Sequence, residues 1–213
     1  IFFNIAKNFG FVDKSKKFKN PVTITSSGII LYFNIIIIVI GYFFIYGNNP
    51  SILPNNYLFS LISLSILVLI SAIDDKKPID PKIRLFFQLI CVYVSLTSIP
   101  LYQLELPLKV SIGLCLIIWV YILNITNFTD GSDGFLVLNS IFVFSNILLI
   151  SYIVEINVFS KFLAVIILPS LIVLLYFNKP IAKMYLADSG SILIGYFNGF
   201  IFLELFILDQ LNL

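Results

Sequence analysis

Carboxylates in this chain sit at places where a buried or membrane-bound segment gives way to a loop, and their spacing suggests work on a charged substrate. Asp74 and Asp75 close an apolar run and are followed by Lys76 and Lys77. Adjacent carboxylates repel each other, and the C-terminal end of a helix favours cations, so the pair needs compensation from a divalent cation or a lysine cluster. A few residues on, Lys82 and Arg84 open the next apolar run, again at the helix end that disfavours their sign. A phosphate bound between them would relieve both conflicts.

A second stretch carries Asn124, Asn127, Asp130 and Asp133, one polar side chain every third residue. That spacing lines one stripe of a helix. Both aspartates precede a glycine, which permits a tight backbone and close approach of a ligand. Oxygen-only donors of this kind suit a hard cation such as magnesium, held together with water and substrate phosphate. The third stretch runs from Asn178 to Ser191 and places Asp188 just before a Ser-Gly-Ser helix start, where an aspartate can also serve simply as a cap. Lys179, Lys183 and Tyr185 nearby offer two phosphate-directed cations and an aromatic face.

The elements that must position these groups are apolar helices. Of the 213 residues, 60% are hydrophobic and 11% charged, with a mean hydropathy of +1.05. A soluble domain carries about 25% charged residues, so lipid is the solvent for much of this surface. A net charge of +2, with no basic cluster interleaved with aromatics, argues against nucleic acid as a partner. The chain has no histidine, which removes the commonest general base and the usual zinc ligand. Cys91 and Cys115 lie inside apolar runs and read as packing residues. Ile1–Ala6 reads as the tail of an apolar segment, and the chain is expected to be a fragment.

Seven stretches approach the ~20 residues a spanning helix needs: Gly28–Tyr46, Tyr57–Ile73, Leu85–Ile99, Val110–Ile125, Phe135–Val154, Phe162–Phe177 and Ser191–Leu208. Sorting the intervening loops alternately puts Lys7, Lys14, Lys16, Lys17, Lys19, Lys76, Lys77, Lys82, Arg84, Lys179 and Lys183 on one side and only Lys109 and Lys161 on the other. The lysine-rich side is therefore expected to be cytoplasmic. The aspartates of all three stretches fall on that side, whereas Glu204 lies in the outer half of the last span. The predicted fold is an all-α polytopic transmembrane bundle, seven full spans plus a partial N-terminal one, forming a single domain over residues 1–213.

The three stretches together resemble the polyprenyl-phosphate N-acetylhexosamine-1-phosphate transferases. The likeness rests on Asp74-Asp75 with Pro81, Lys82, Ile83, Arg84 and Gln88, on Asn124, Asn127, Asp130-Gly131 and Asp133-Gly134, and on Asn178, Pro180, Ala182-Lys183 and Asp188 through Ser191. The segment from Gly10 to Lys14 also looks like that family's first cytoplasmic loop. The resemblance implies transfer of a sugar-1-phosphate from a UDP-N-acetylhexosamine to undecaprenyl phosphate, with release of UMP and a requirement for magnesium, or manganese in its place. It implies a multi-pass protein of the bacterial inner membrane with a cytoplasmic active site, and it allows a homodimer.

Carried over by position, Asn127 and Asp188 would be metal ligands. Lys82 would hold a phosphate, Asp130, Asp133 and Lys183 would serve the donor, and Tyr185 would stack on uracil. Asp74 or Asp75 would be the base or the phosphate-orienting carboxylate. The short link from Asp75 to Arg84 is closer to the common-antigen and O-antigen branch than to the peptidoglycan branch. Ala187 stands where the family usually has glycine, and the family's later histidine-bearing loop is expected beyond Leu213. Two other readings fit the same composition. A secondary transporter would place its carboxylates near the midplane on broken helices rather than at helix ends. A non-catalytic paralogue would bind only the lipid phosphate.

Overall fold

The structure is a computed structural model and describes residues 12–13, 23–25, 27–46, 57–153 and 159–207. Lys7, Lys14, Lys16, Lys17, Lys19, Glu155, Asp209 and most of the Gly10–Lys14 segment lie outside the described residues. Val12–Asp13 (β1) pairs antiparallel with Thr23–Ile24 (β2), Val12 opposite Ile24. All else that is regular among the described residues is helical: α1 Ser27–Tyr46, α2 Tyr57–Asp74, α3 Pro81–Ser95, α4 Leu108–Thr129, α5 Phe135–Ile153, α6 Phe159–Asn178 and α7 Ala187–Ile207. Short 3₁₀ turns, Leu96–Ser98 and Leu101–Gln103, follow α3. Each of the seven full spans expected falls on one helix, the third running on into a 3₁₀ turn, whereas the partial N-terminal span at Ile1–Ala6 lies outside the described residues; α2, α4, α5, α6 and α7 are long and apolar enough to cross a bilayer. The molecule is an all-α membrane bundle.

The third span differs from expectation. It was expected from Leu85, where the apolar run begins, yet α3 starts four residues earlier. Asp80 Oδ1 accepts the Lys82 backbone N–H at 2.8 Å, and Pro81 takes the first helical position. A side-chain cap followed by a preset proline φ starts a helix regardless of hydropathy. Lys82 and Arg84 thereby join the first turn. At 15 residues α3 is short, but its 3₁₀ extension carries it the length of α2. Ser60 Oγ meets Ser98 Oγ at 2.8 Å at one end of the hairpin, and Arg84 meets Asp74 at the other.

Helix α7 is the axis of the bundle. Nearly all of it from Ser189 to Leu205 is buried, against α4, α2 and α1, whereas the other spans turn exposed Ile, Leu and Phe outward to lipid. Helices in lipid gain little from apolar burial and associate through close packing and hydrogen bonds. Both devices are present. A Cβ on Gly28 would stand 2.2 Å from the Gly190 backbone nitrogen, so α1 and α7 touch main chain to main chain. Trp119 Nε1 donates to the Tyr196 carbonyl at 3.0 Å, and Tyr196 Oη donates to the Ser60 carbonyl at 2.8 Å. At the far end, buried Glu204 accepts from Tyr57 Oη at 3.0 Å, from the Ser160 backbone N–H at 2.8 Å and from Ser160 Oγ. That carboxylate therefore caps the start of α6, the end of a helix that favours an anion.

Candidate active site

The loops after α2, α4 and α6 meet at the opposite end of the bundle from Glu204. The turn from Asn178 to Leu186 is fastened to the 130–134 turn by two side chains. Asn178 Oδ1 accepts the Gly134 N–H at 3.0 Å while its Nδ2 donates to the Met184 carbonyl at 2.7 Å, and Asp133 Oδ2 accepts the Ala182 N–H at 3.0 Å. Gly134 has φ +72°, a left-handed turn that glycine adopts without penalty. The stripe expected at every third residue stops early. Helix α4 ends at Thr129, Asp130 is its cap, and Asp133 lies past it in the turn, tied to backbone. Only Asn124 and Asn127 share the helical face. The Asp-Gly pair breaks the period, so the register of α4 does not reach Asp133.

Asp75 reaches from the α2–α3 loop to the start of α7. Its Oδ1 accepts the Asp188 N–H at 2.8 Å and its Oδ2 the Ser189 N–H at 3.2 Å. The cap of α7 thus comes from a different loop, and Asp188, read above as a candidate cap, is free to project its carboxylate from the first turn. The preceding Ala187 has φ +57°, a left-handed backbone that costs a Cβ-bearing residue about 1–2 kcal/mol. Arg84 completes the arrangement: its guanidinium donates to Asp74 Oδ2 at 2.6 Å and to Asp188 Oδ2 at 2.9 Å. Asp74 is held on its other side by the Ile79 N–H at 2.5 Å and is almost fully buried.

Asp130 belongs to the same group. Its carboxyl is raised to about 7, first by burial and then by the charges of Asp188 and Asp75. Burial also raises the Asp75 carboxyl, with Asp74 adding to the effect and the Asp188 and Ser189 donors holding it back. Asp74 and Asp188 thus share the Arg84 guanidinium, and Asp75 and Asp130 stand close enough to Asp188 to feel its charge or bond its backbone.

Asp188 and Asn127 line one small pocket with Arg84, Gln88, Asn124 and Ser71. Asn124 Nδ2 donates to Gln88 Oε1 at 2.8 Å, and Ser191 Oγ donates to Asn127 Oδ1 at 2.5 Å. Among the described residues no three carboxylates or thiols form a ready-made metal cage. A donor set of one carboxylate and amide oxygens around a small pocket nonetheless fits magnesium, which binds through one or two carboxylates and keeps water and phosphate for the rest.

The remaining expected residues lie around this cluster. Lys82 is exposed on the first turn of α3, and its neighbour Arg84 takes the central position. Lys183 is exposed on the turn after α6, and Tyr185 is half-buried, its carbonyl accepting from Ser27 Oγ. Arg84 was noted in sequence only as the second cation of its helix start. Its distance of ten residues from Asp74, across a hairpin with a capped restart, was the available signal.

Comparison with known proteins places this arrangement. The sequence model of Glycosyl transferase family 4 matches residues 57–206, which contain every carboxylate of the cluster. Among curated relatives, the phospho-N-acetylmuramoyl-pentapeptide-transferase of Aliarcobacter butzleri is 28% identical over 179 residues, covering 66% of this chain and 50% of the relative. The protein of the same name from Leuconostoc citreum is 32% identical over 139 residues, covering 61% of this chain and 43% of the relative. That from Helicobacter pylori is 28% identical over 120 residues. The chain spans about half the length, or less, of the curated relatives it matches.

Proposed function

The chain belongs to Glycosyl transferase family 4, and from that premise we propose that the protein it represents moves a sugar-1-phosphate from a UDP-N-acetylhexosamine to a polyprenyl phosphate at the cytoplasmic membrane face. An oxygen of the lipid phosphate bonds to the sugar-bearing phosphorus of the donor. The bridging oxygen leaves with UMP. The observation that carries this reading is the gathering of Asp74, Asp75, Asp130 and Asp188 at one end of a membrane bundle, two of them paired with Arg84. Transporter carboxylates belong near the midplane on broken helices, and these stand at helix ends.

Phosphoryl transfer requires chiefly positioning and neutralisation of charge. In this scheme Asp188 and Asn127 hold magnesium, which when bound neutralises the diphosphate and polarises the phosphorus under attack. Arg84 supplies a planar, permanently charged donor for phosphate oxygens. Asp74 aims that guanidinium. Asp75, with both oxygens engaged by α7, is a positioning residue rather than a base. Lys82 and Tyr185 stand at the rim where the nucleotide end would rest.

Two donors follow from different observations. The names of the relatives favour a UDP-N-acetylmuramoyl-pentapeptide, and the short Asp75–Arg84 link favours a simple UDP-N-acetylhexosamine. The test is UMP release by the complete gene product, in membranes containing undecaprenyl phosphate, with each donor and with or without magnesium. Magnesium-dependent release with one donor, abolished in Asp188→Asn, is the expected result. No release with any UDP-sugar, from protein that is folded and membrane-inserted, would overturn the proposal.

A further inference from the structure

A groove of about 640 Å³ runs between α1 and α6 and shares no lining residue with the pocket at Asp188. Its walls are hydrocarbon, with Ile30, Ile37 and Val173 among them. Two features interrupt that apolarity. Within the groove, Asn34 Nδ2 donates to Ser170 Oγ at 2.6 Å, and the pair is exposed. Asn34 lies seven residues into α1, about 10 Å from its start at 1.5 Å per residue. A polar pair open to hydrocarbon at that depth is costly unless something answers it. At the mouth, Phe177 and Met184 line the groove and are joined by the turn that carries Lys179 and Lys183. Lys179 Nζ sits 4.9 Å over the Tyr176 ring, and both lysines are exposed.

We infer that this groove holds an anionic glycerophospholipid, with one acyl chain between α1 and α6, an ester carbonyl on the Asn34 amide, and its phosphate at Lys179 and Lys183. Basic pockets between spanning helices on the cytoplasmic side select anionic headgroups, and these two lysines belong to the lysine-rich side. The order of chemistry along the groove, cation then amide then hydrocarbon, matches phosphate, ester and acyl chain. A polyprenyl phosphate has no polar atom between its phosphate and its hydrocarbon and offers no acceptor to the second Asn34 Nδ2–H, the first being given to Ser170 Oγ. The groove also has a structural reason to be filled. Ser27 and Met184 line it, Ser27 binds the Tyr185 carbonyl, and the Met184 carbonyl receives Asn178. A lipid in the groove braces the turn that leads into Asp188.

The inference is independent of turnover and is tested by native mass spectrometry and thermal unfolding of the complete gene product. The purified protein is exchanged in turn with phosphatidylglycerol, phosphatidylcholine and undecaprenyl phosphate. Phosphatidylglycerol should be retained several-fold over phosphatidylcholine and should raise the unfolding midpoint. Lys179→Gln/Lys183→Gln should remove that preference with its midpoint in lipid-free detergent unchanged, and Asn34→Leu should weaken retention of both glycerolipids. The inference is overturned by equal retention of the two glycerolipids, or by a preference that survives in the lysine variant. It is also overturned by preferential, lysine-dependent retention of undecaprenyl phosphate. Disulfide trapping of Val173→Cys against a neighbouring helix or a second copy would overturn it too, because protein would then fill the groove.

Discussion

Asp75 and Asp188 are joined through a backbone rather than through their side chains: the Asp75 carboxylate accepts the N–H of Asp188, and of Ser189 beside it. One acid therefore fixes where the other acid points. Removing the cap, Asp75→Ala, should cost about 0.5–2 kcal/mol of stability, the usual range for a lost helix cap. Because the lost bond orients Asp188, UMP release should fall by far more than the stability loss would explain. Asp75→Asn keeps one acceptor oxygen and should recover the unfolding midpoint ahead of the activity. Equal recovery of both would show that Asp75 acts by capping alone.

Arg84 holds Asp74 and Asp188 to a single guanidinium. In Arg84→Gln the two carboxylates lose their shared cation, so the magnesium concentration giving half-maximal stabilisation should drop while turnover falls. Arg84→Lys keeps the charge but not the planar fork, and it should restore stability more fully than rate. Magnesium titrations followed by thermal unfolding, beside UMP release, separate these outcomes.

Ala187 occupies a left-handed backbone that glycine would enter freely. Ala187→Gly should stabilise the protein by about 1 kcal/mol, taken from the penalty a Cβ incurs at positive φ. The unfolding midpoint should rise, and the magnesium requirement should hold steady. A lower midpoint would mean that the Ala187 methyl group contributes packing that outweighs its strain.

Asp130 sets a pH dependence with a definite sign. Its folded carboxyl lies at about 7, against ~3.9 in an unfolded chain. Between those values the folded state holds a proton that the unfolded state has released. The difference in bound protons makes stability fall as pH rises from about 4 to about 7 and level off above. In magnesium-free buffer Asp130→Asn should flatten that decline, and added magnesium should help most above pH 7, where Asp130 is ionised. Unfolding midpoints from pH 4.5 to 8.5 check both statements.

Asn178 is buried and satisfies a donor on one turn and an acceptor on another. Asn178→Ala leaves both the Gly134 N–H and the Met184 carbonyl without that partner, at about 1–3 kcal/mol for each buried group so exposed. Asp133→Ala removes only the Ala182 contact, from a less buried position, and should cost less. Thermal unfolding of the two variants side by side reads the ranking.

The helices were legible in the sequence because hydropathy is a sum over some twenty residues, and no single side chain decides it. The gathering of Asp74, Asp75, Asp130 and Asp188 was legible because they flank loops on one side of an alternating chain. What escaped was the division of labour inside the cluster. Lys82 and Arg84 are two residues apart on one helix turn, and only the hairpin geometry of α2 and α3 decides which faces Asp74. Asp133 continued a three-residue period on paper, but Gly131 and Ser132 carry the chain out of the helix before it. The cap of α7 came from 113 residues upstream, beyond the reach of any local pattern.

Helix α7 is anchored twice. Asp75 grips its first turn, and Glu204, about 24 Å further along at 1.5 Å per residue, is bound to the starts of α2 and α6. The helix is thus held at both ends and touches α1 main chain to main chain at Gly28 and Gly190. In the proposed transfer the diphosphate enters and UMP departs beside this helix, at its Asp188 end. The Arg84 side chain, held by two ion pairs, and the exposed α2–α3 turn border that end. Asp188, set by the Asp75 cap, is in that proposed transfer the point against which a substrate is aligned.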